Sequence, residues 1–114
     1  EAYILTGYFN IPKVLELTLF NGYDHTSGKQ LGPKTGYGYE FESYEELWNA
    51  FCTQMEYFLD IKIRGSLVIE KIYAEEMPVP FLSILTNDCI SRGKDYNAGG
   101  ARYNTSYIQG VGIW

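Results

Sequence analysis

Cysteine and histidine are scarce in this 114-residue sequence, and clusters of basic residues and long apolar runs are missing from it. The two cysteines, Cys52 and Cys89, each fall inside a helix-like pattern and make neither a disulfide framework nor a Cys-x-x-Cys metal or redox pair. A reducing compartment fits that usage, and a small buried thiol in the core is the expected role of both. The single histidine, His25, stands between Asp24 and Thr26 with no partner at metal-ligand spacing, so it reads as a hydrogen-bonded loop residue and no metal is expected. The longest uninterrupted apolar run, Ala2-Tyr3-Ile4-Leu5, is far short of a membrane span, and no signal peptide is present, which reads as a soluble chain with no membrane partner. Nine basic against fourteen acidic residues give a net charge of −5. With no Lys/Arg cluster this excludes a nucleic-acid surface and leaves small or neutral partners.

What the sequence has in quantity is apolar and aromatic surface, at 46% and 17% of residues, with charged residues at only 20%. That is enough for a core and too little charge for disorder, and the length sets one domain as the ceiling. Asn10 caps an expected helix with Pro12 in its first turn, apolar positions Ile11, Val14, Leu15, Leu17, Leu19 and Phe20, and Gly22 as a left-handed stop. Residues 22–39 contain glycines 22, 28, 32, 36 and 38 with no period of 2 or 3.6, which predicts a long ordered loop. Ser43-Tyr44-Glu45-Glu46 is a capping box in which the Ser43 hydroxyl and Glu46 carboxylate satisfy each other's free amides.

From there helical spacing runs through Leu47, Trp48, Phe51, Cys52, Met55, Phe58, Leu59 and Ile63, then Leu67, Val68, Ile69, Ile72 and Tyr73, until Pro78. A continuous helix over 43–76 is ~50 Å long at ~1.5 Å per residue, against a diameter of roughly 35 Å for a compact domain of this size. Two readings stay open: a kink at Gly65 folds the halves together, or these residues are a slice of a larger fold. The slice is favoured, because one short helix plus loops cannot cover a helix apolar on more than one face. The absence of a starting Met and the apolar ending Gly112-Ile113-Trp114 point the same way. Residues 81–93 read as one helix stopped by Gly93, and the remainder, rich in Gly, Asn and Tyr, ends in a strand-like or buried apolar run.

No catalytic constellation emerges from spacing. The stretch from Gly22 to Lys29 lacks phosphate-loop spacing and follows a helix rather than a strand. Glu45/Glu46 and Glu75/Glu76 are adjacent helix residues about 100° apart, hence solvated or capping groups. Asn104-Thr105-Ser106 matches a glycosylation acceptor by chance. The eleven tyrosines suit a pocket for a small polar molecule, or merely a wet core.

Longer stretches carry more. Glu1-Ala2-Tyr3-Ile4-Leu5-Thr6-Gly7-Tyr8-Phe9-Asn10-Ile11-Pro12-Lys13-Val14-Leu15-Glu16, then Asn21-Gly22-Tyr23-Asp24 and Thr26-Ser27-Gly28-Lys29-Gln30-Leu31-Gly32, resemble glycyl radical enzymes of the pyruvate formate-lyase-like superfamily. So do Asp88-Cys89-Ile90, Arg92-Gly93-Lys94-Asp95-Tyr96, Gly99-Gly100-Ala101-Arg102-Tyr103-Asn104 and Gln109-Gly110-Val111-Gly112. Within the family the first stretch is most similar to the branch that dehydrates trans-4-hydroxy-L-proline.

The resemblance implies an α-rich segment of a ten-stranded α/β barrel, mostly helical with long ordered loops when taken alone. In the family a glycyl radical, installed by a radical SAM activating enzyme, generates a thiyl radical on a cysteine loop, and a glutamate two residues after that cysteine serves as base. Neither Cys52 nor Cys89 is followed by Glu at the second position, and no Arg-Val-x-Gly-Tyr motif occurs. Residues 1–114 are therefore expected between the cysteine loop and the glycyl radical domain of one catalytic barrel, with no catalytic residue, metal or bound cofactor of their own. The implied parent is a homodimer in the cytoplasm of an anaerobic bacterium, and the segment alone is inert. Tyr8 matches a pocket tyrosine of the hydroxyproline branch, which implies a substrate-binding role, although a structural tyrosine explains it almost equally well; Thr6 is a second candidate by proximity. The motif from Gly99 to Asn104 reads as structural, its glycines allowing close backbone approach. Choline trimethylamine-lyase and glycerol or propanediol dehydratase are the neighbouring readings, and a self-standing helical binding module is the alternative of another class.

Overall fold

A computed structural model describes residues 1–112. The end of the expected apolar run, Ile113 and Trp114, lies outside them. In chain order the elements are β1 (Ala2–Asn10), α1 (Ile11–Leu19), β2 (Tyr23–Asp24), β3 (Lys29–Gln30), α2 (Tyr44–Glu76), α3 (Pro80–Leu85), α4 (Cys89–Arg92), a 3-10 turn (Tyr96–Ala98) and β4 (Asn104–Val111). β1 pairs with β4 and β2 with β3. The chain divides into two compact units, one of Glu1–Tyr8 with Arg64–Gln109, the other of Phe9–Ile63 with the chain from Gly110 on.

In the unit that holds α1, the sequence rules act locally. The Asn10 side chain accepts the Lys13 N–H at 3.1 Å, Pro12 sits in the first turn, and Val14, Leu17 and Thr18 are buried. The chain leaves through left-handed Asn21 and Gly22, at φ 54° and 76°, and the Gly22 N–H bonds the Leu17 carbonyl at 2.6 Å. The glycine-rich loop is more organised than its composition implies. It contains the antiparallel β2–β3 pair, with Tyr23 opposite Gln30 and Asp24 opposite Lys29, and Tyr37 forms a bridge to Phe20. Gln54 of α2 is fully buried and pins the loop, donating to the Pro33 carbonyl at 2.6 Å and to Thr35 Oγ1 at 2.9 Å. His25 is held edge-on between the rings of Phe20 and Tyr23.

Asp24 is buried beneath this loop, 2.6 Å from the Lys13 ammonium, and accepts the backbone N–H groups of Thr26 and Ser27. Lys13 first, then Ser27, holds its carboxyl well below the usual carboxylate range. A group depressed in this way contributes stability that is complete above the unfolded carboxyl pKa of about 3.9 and is lost as pH falls through the folded value. The thermal midpoint should therefore be flat near neutrality and fall below about pH 4. Asp24→Asn should lower the midpoint at pH 7 and flatten the acid limb, and thermal scans from pH 2 to 7 on both proteins check it.

Helix α2 is continuous over Tyr44–Glu76, with Gly65 inside it and nothing within 4 Å of the position a Cβ would take there. The kinked alternative is thereby set aside. Its N-terminus departs from the expected box in one bond. Ser43 Oγ accepts the Glu46 N–H at 3.2 Å, but the Glu46 carboxylate accepts the N–H of Glu42 at 2.9 Å rather than that of Ser43. The last orphan amide is thus reached one residue earlier.

In the other unit the structure adds a strand and divides an expected helix. The opening stretch, in which spacing marks only the apolar run Ala2-Tyr3-Ile4-Leu5, forms strand β1 over Ala2–Asn10. Tyr, Ile, Leu, Thr and Phe are strand formers, but AYILTGYFN does not alternate cleanly, and its partner β4 lies about a hundred positions away. Ala2 N–H meets the Tyr103 carbonyl and Thr6 Oγ1 the Tyr107 carbonyl, so partners advance together as in a parallel pair.

The single helix expected over 81–93 is two short ones. Thr86 is extended and Asp88 left-handed at φ 76°, the latter fixed by two hydrogen bonds from Arg102 at 2.8 and 3.0 Å. Thr, Asn and Asp at 86–88 favour local side-chain bonding over helix, and Arg102 supplies the remaining bias. Gly93 does stop the second helix, at φ 60°.

The core of this unit is Ala2, Cys89 and Ala101 with Tyr96 packed on it. Cys89 is buried as expected, whereas Cys52 of α2 is only half-buried. A Cβ on Gly100 would collide with the Lys94 and Asp95 carbonyl oxygens, which supports the structural reading of the Gly99-to-Asn104 motif.

Large apolar side chains stay uncovered in both units. Phe81 and Leu85 are each 84% exposed, and Trp48, Ile61, Leu67 and Val68 of α2 lie between 51% and 60%. No helix is long and apolar enough to cross a membrane among the described residues.

Candidate functional site

Strand β1 carries both sequence-predicted site residues, and the structure gives them different environments. Thr6 is buried, and its hydroxyl donates to the Tyr107 carbonyl of β4 at 3.3 Å, so it ties the strand pair together. Tyr8 is 64% exposed, presenting a phenol with both an apolar face and a polar tip. Residues two apart on a regular strand share a face. Gly7 between them has φ 135°, a conformation that side-chain-bearing residues rarely adopt, and this breaks the pleat between Thr6 and Tyr8.

The start of β1 is held by residues that spacing did not single out. Asp95 accepts the Val79 N–H at 3.0 Å, the Asn97 N–H at 2.9 Å and the Ser83 hydroxyl at 2.7 Å. Burial opposes ionisation of its carboxyl, yet the bonds from Ser83, Asn97 and Val79 outweigh burial and leave the pKa below the ordinary value. The Tyr96 N–H reaches Ser83 Oγ at 2.8 Å, and the Tyr96 hydroxyl accepts the Tyr3 N–H at 2.9 Å. Asp95-Tyr96-Asn97 forms an Asx turn, whose signal is local; the links to Ser83 and Tyr3 leave no signal in the sequence.

One hollow offers less chemistry. It is apolar, of about 410 Å³, and lies between Ile11, Pro12 and Leu15 of α1 and Tyr44, Trp48 and Phe51 of α2, with no titratable carboxylate, amine or thiol among these. No group of three or more His, Cys, Asp or Glu side chains that could hold a metal occurs among the described residues.

A family model described as pyruvate formate lyase-like matches residues 1–114. The chain is 63% identical to trans-4-hydroxy-L-proline dehydratase of Clostridioides difficile over 113 residues, which is 99% of this chain and 14% of that protein. It superposes on the crystal structure of hydroxyproline dehydratase from the same organism with a TM-score of 0.92 and 62% identity, covering 97% of this chain and 14% of that one. On the glycerol-bound B12-independent glycerol dehydratase of Clostridium butyricum the TM-score is 0.84 and the identity 42%, covering 93% and 13%. The chain thus spans about a seventh of the length of the relatives it matches. With the whole of its length matched and both the sequence and the β1-to-β4 framework shared with these relatives, the chain belongs to the pyruvate formate lyase-like family of glycyl radical enzymes.

Proposed function

We propose that this chain is the segment between the cysteine loop and the glycyl radical domain of a ten-stranded α/β barrel enzyme that removes water from trans-4-hydroxy-L-proline. The observation that carries this reading is the identity gap between structural relatives, 62% to hydroxyproline dehydratase against 42% to glycerol dehydratase over nearly the same residues. The uncovered apolar faces of α2, α3 and α4 support it, since they need the rest of a barrel to cover them. They also argue against a self-standing binding module.

In this reading the segment supplies walls and substrate contacts rather than reacting groups. The catalytic cysteine, its glutamate and the radical glycine belong to other parts of the enzyme, and a radical SAM activase installs the radical. Tyr8 faces the substrate, its hydroxyl bonding a polar group of hydroxyproline, while Thr6 holds β1 against β4. The whole enzyme is a cytoplasmic homodimer of an anaerobic bacterium.

The test is turnover by the intact, activated protein on trans-4-hydroxy-L-proline, glycerol, 1,2-propanediol and choline. Hydroxyproline should be the preferred substrate by kcat/KM. Tyr8→Phe should raise KM for it about tenfold, the equivalent of one hydrogen bond at ~1.4 kcal/mol. Preference for glycerol, propanediol or choline would move the chain to a neighbouring branch of the family, and an unchanged KM would make Tyr8 structural.

A further inference from the structure

We propose that Tyr96 is a positioning residue for the reaction, fixing the point where the chain leaving the cysteine loop enters β1; the inference rests on the function proposed above. Along a strand, successive N–H groups point to opposite edges. The Ala2 N–H goes to the Tyr103 carbonyl, one residue before β4, at 2.8 Å, so the Tyr3 N–H points to the other edge, and there it meets a side chain, the Tyr96 hydroxyl at 2.9 Å.

That hydroxyl has a fixed address. The Tyr96 ring packs against Ala2, Cys89 and Ala101, its N–H is bound to Ser83 Oγ, and Ser83 is bound in turn to the Asp95 carboxylate. Asp95 also takes the N–H groups of Val79 and Asn97. A rigid turn 93 residues away in sequence therefore clamps β1 at Tyr3, three positions before Thr6. In the function proposed above the cysteine loop precedes β1, so this clamp fixes the strand that follows it. A small displacement there changes the distance between thiol and substrate, to which hydrogen transfer is steeply sensitive.

The experiment is Tyr96→Phe in the intact activated enzyme, which keeps the ring packing and removes only the acceptor. The expected result is a fall in kcat of about tenfold at unchanged glycyl radical content by electron paramagnetic resonance and an unchanged thermal midpoint. Asp95→Asn, which weakens the hold on Ser83, should lower kcat in the same direction, and Tyr103→Phe, whose exposed ring lies outside the network, should not. Wild-type kcat in Tyr96→Phe overturns the inference, and so does a loss that merely tracks lost radical or lost folded protein. A wild type that turns over none of the four substrates overturns the functional reading, and this inference with it.

Discussion

Gly22→Ala is expected to destabilise the protein by about 3 kcal/mol, summing left-handed strain and an overpacking clash. Gly22 has φ 76°, and a Cβ there would collide with the Pro33 carbonyl oxygen and approach the Gly32 carbonyl oxygen to 2.6 Å. Both obstacles are backbone, so no side chain can turn aside. The same carbonyl-rich crossing is where Gly22 accepts the N–H groups of Leu31 and Gly32, both at 3.0 Å, and any shift loosens those bonds too. Gly65→Ala is the matched control. It lies inside α2 with open space around it, and the helix preference of alanine should stabilise by ~1 kcal/mol. Denaturant midpoints of the two variants in the intact protein decide it. Equal midpoints would contradict the loop packing described above.

Gly7→Ala is expected to lower kcat/KM for hydroxyproline by between ten- and a hundredfold, because strain of about 1–3 kcal/mol at φ 135° would relax by turning the strand. The strand segment concerned separates buried Thr6 from exposed Tyr8. Turning it moves the phenol while the Thr6 bond to β4 holds the other side. Steady-state kinetics of the activated enzyme read the effect. A variant with wild-type kcat/KM would show that the orientation of Tyr8 does not matter to catalysis.

The residues that were legible in the sequence are those whose determinants are local. Asn10 with Pro12, Ser43 with Glu46, and the long apolar period of α2 each specify a helix within one or two turns, and each helix is present. Strand β1 was not legible because its partner is recruited across the whole chain, so no short-range signal marks it. The break at Asp88 depends likewise on Arg102, fourteen positions on. For the site, composition and spacing gave only an excess of tyrosine. The extended resemblance singled out Tyr8, with Thr6 added by proximity, and the structure buries Thr6 and leaves Tyr8 exposed. Tyr96 stood within a motif of that resemblance, but its task depends on a hydrogen bond to Tyr3 that no pattern in the sequence encodes.

These residues are proposed as the middle of a glycyl radical dehydratase. The most direct measurement is the coding sequence on either side of them. A Cys-x-Glu motif a short distance before Glu1 and an Arg-Val-x-Gly-Tyr motif well after Trp114, in one reading frame, are the expected result. A start codon immediately before Glu1 together with a stop codon immediately after Trp114 would contradict it.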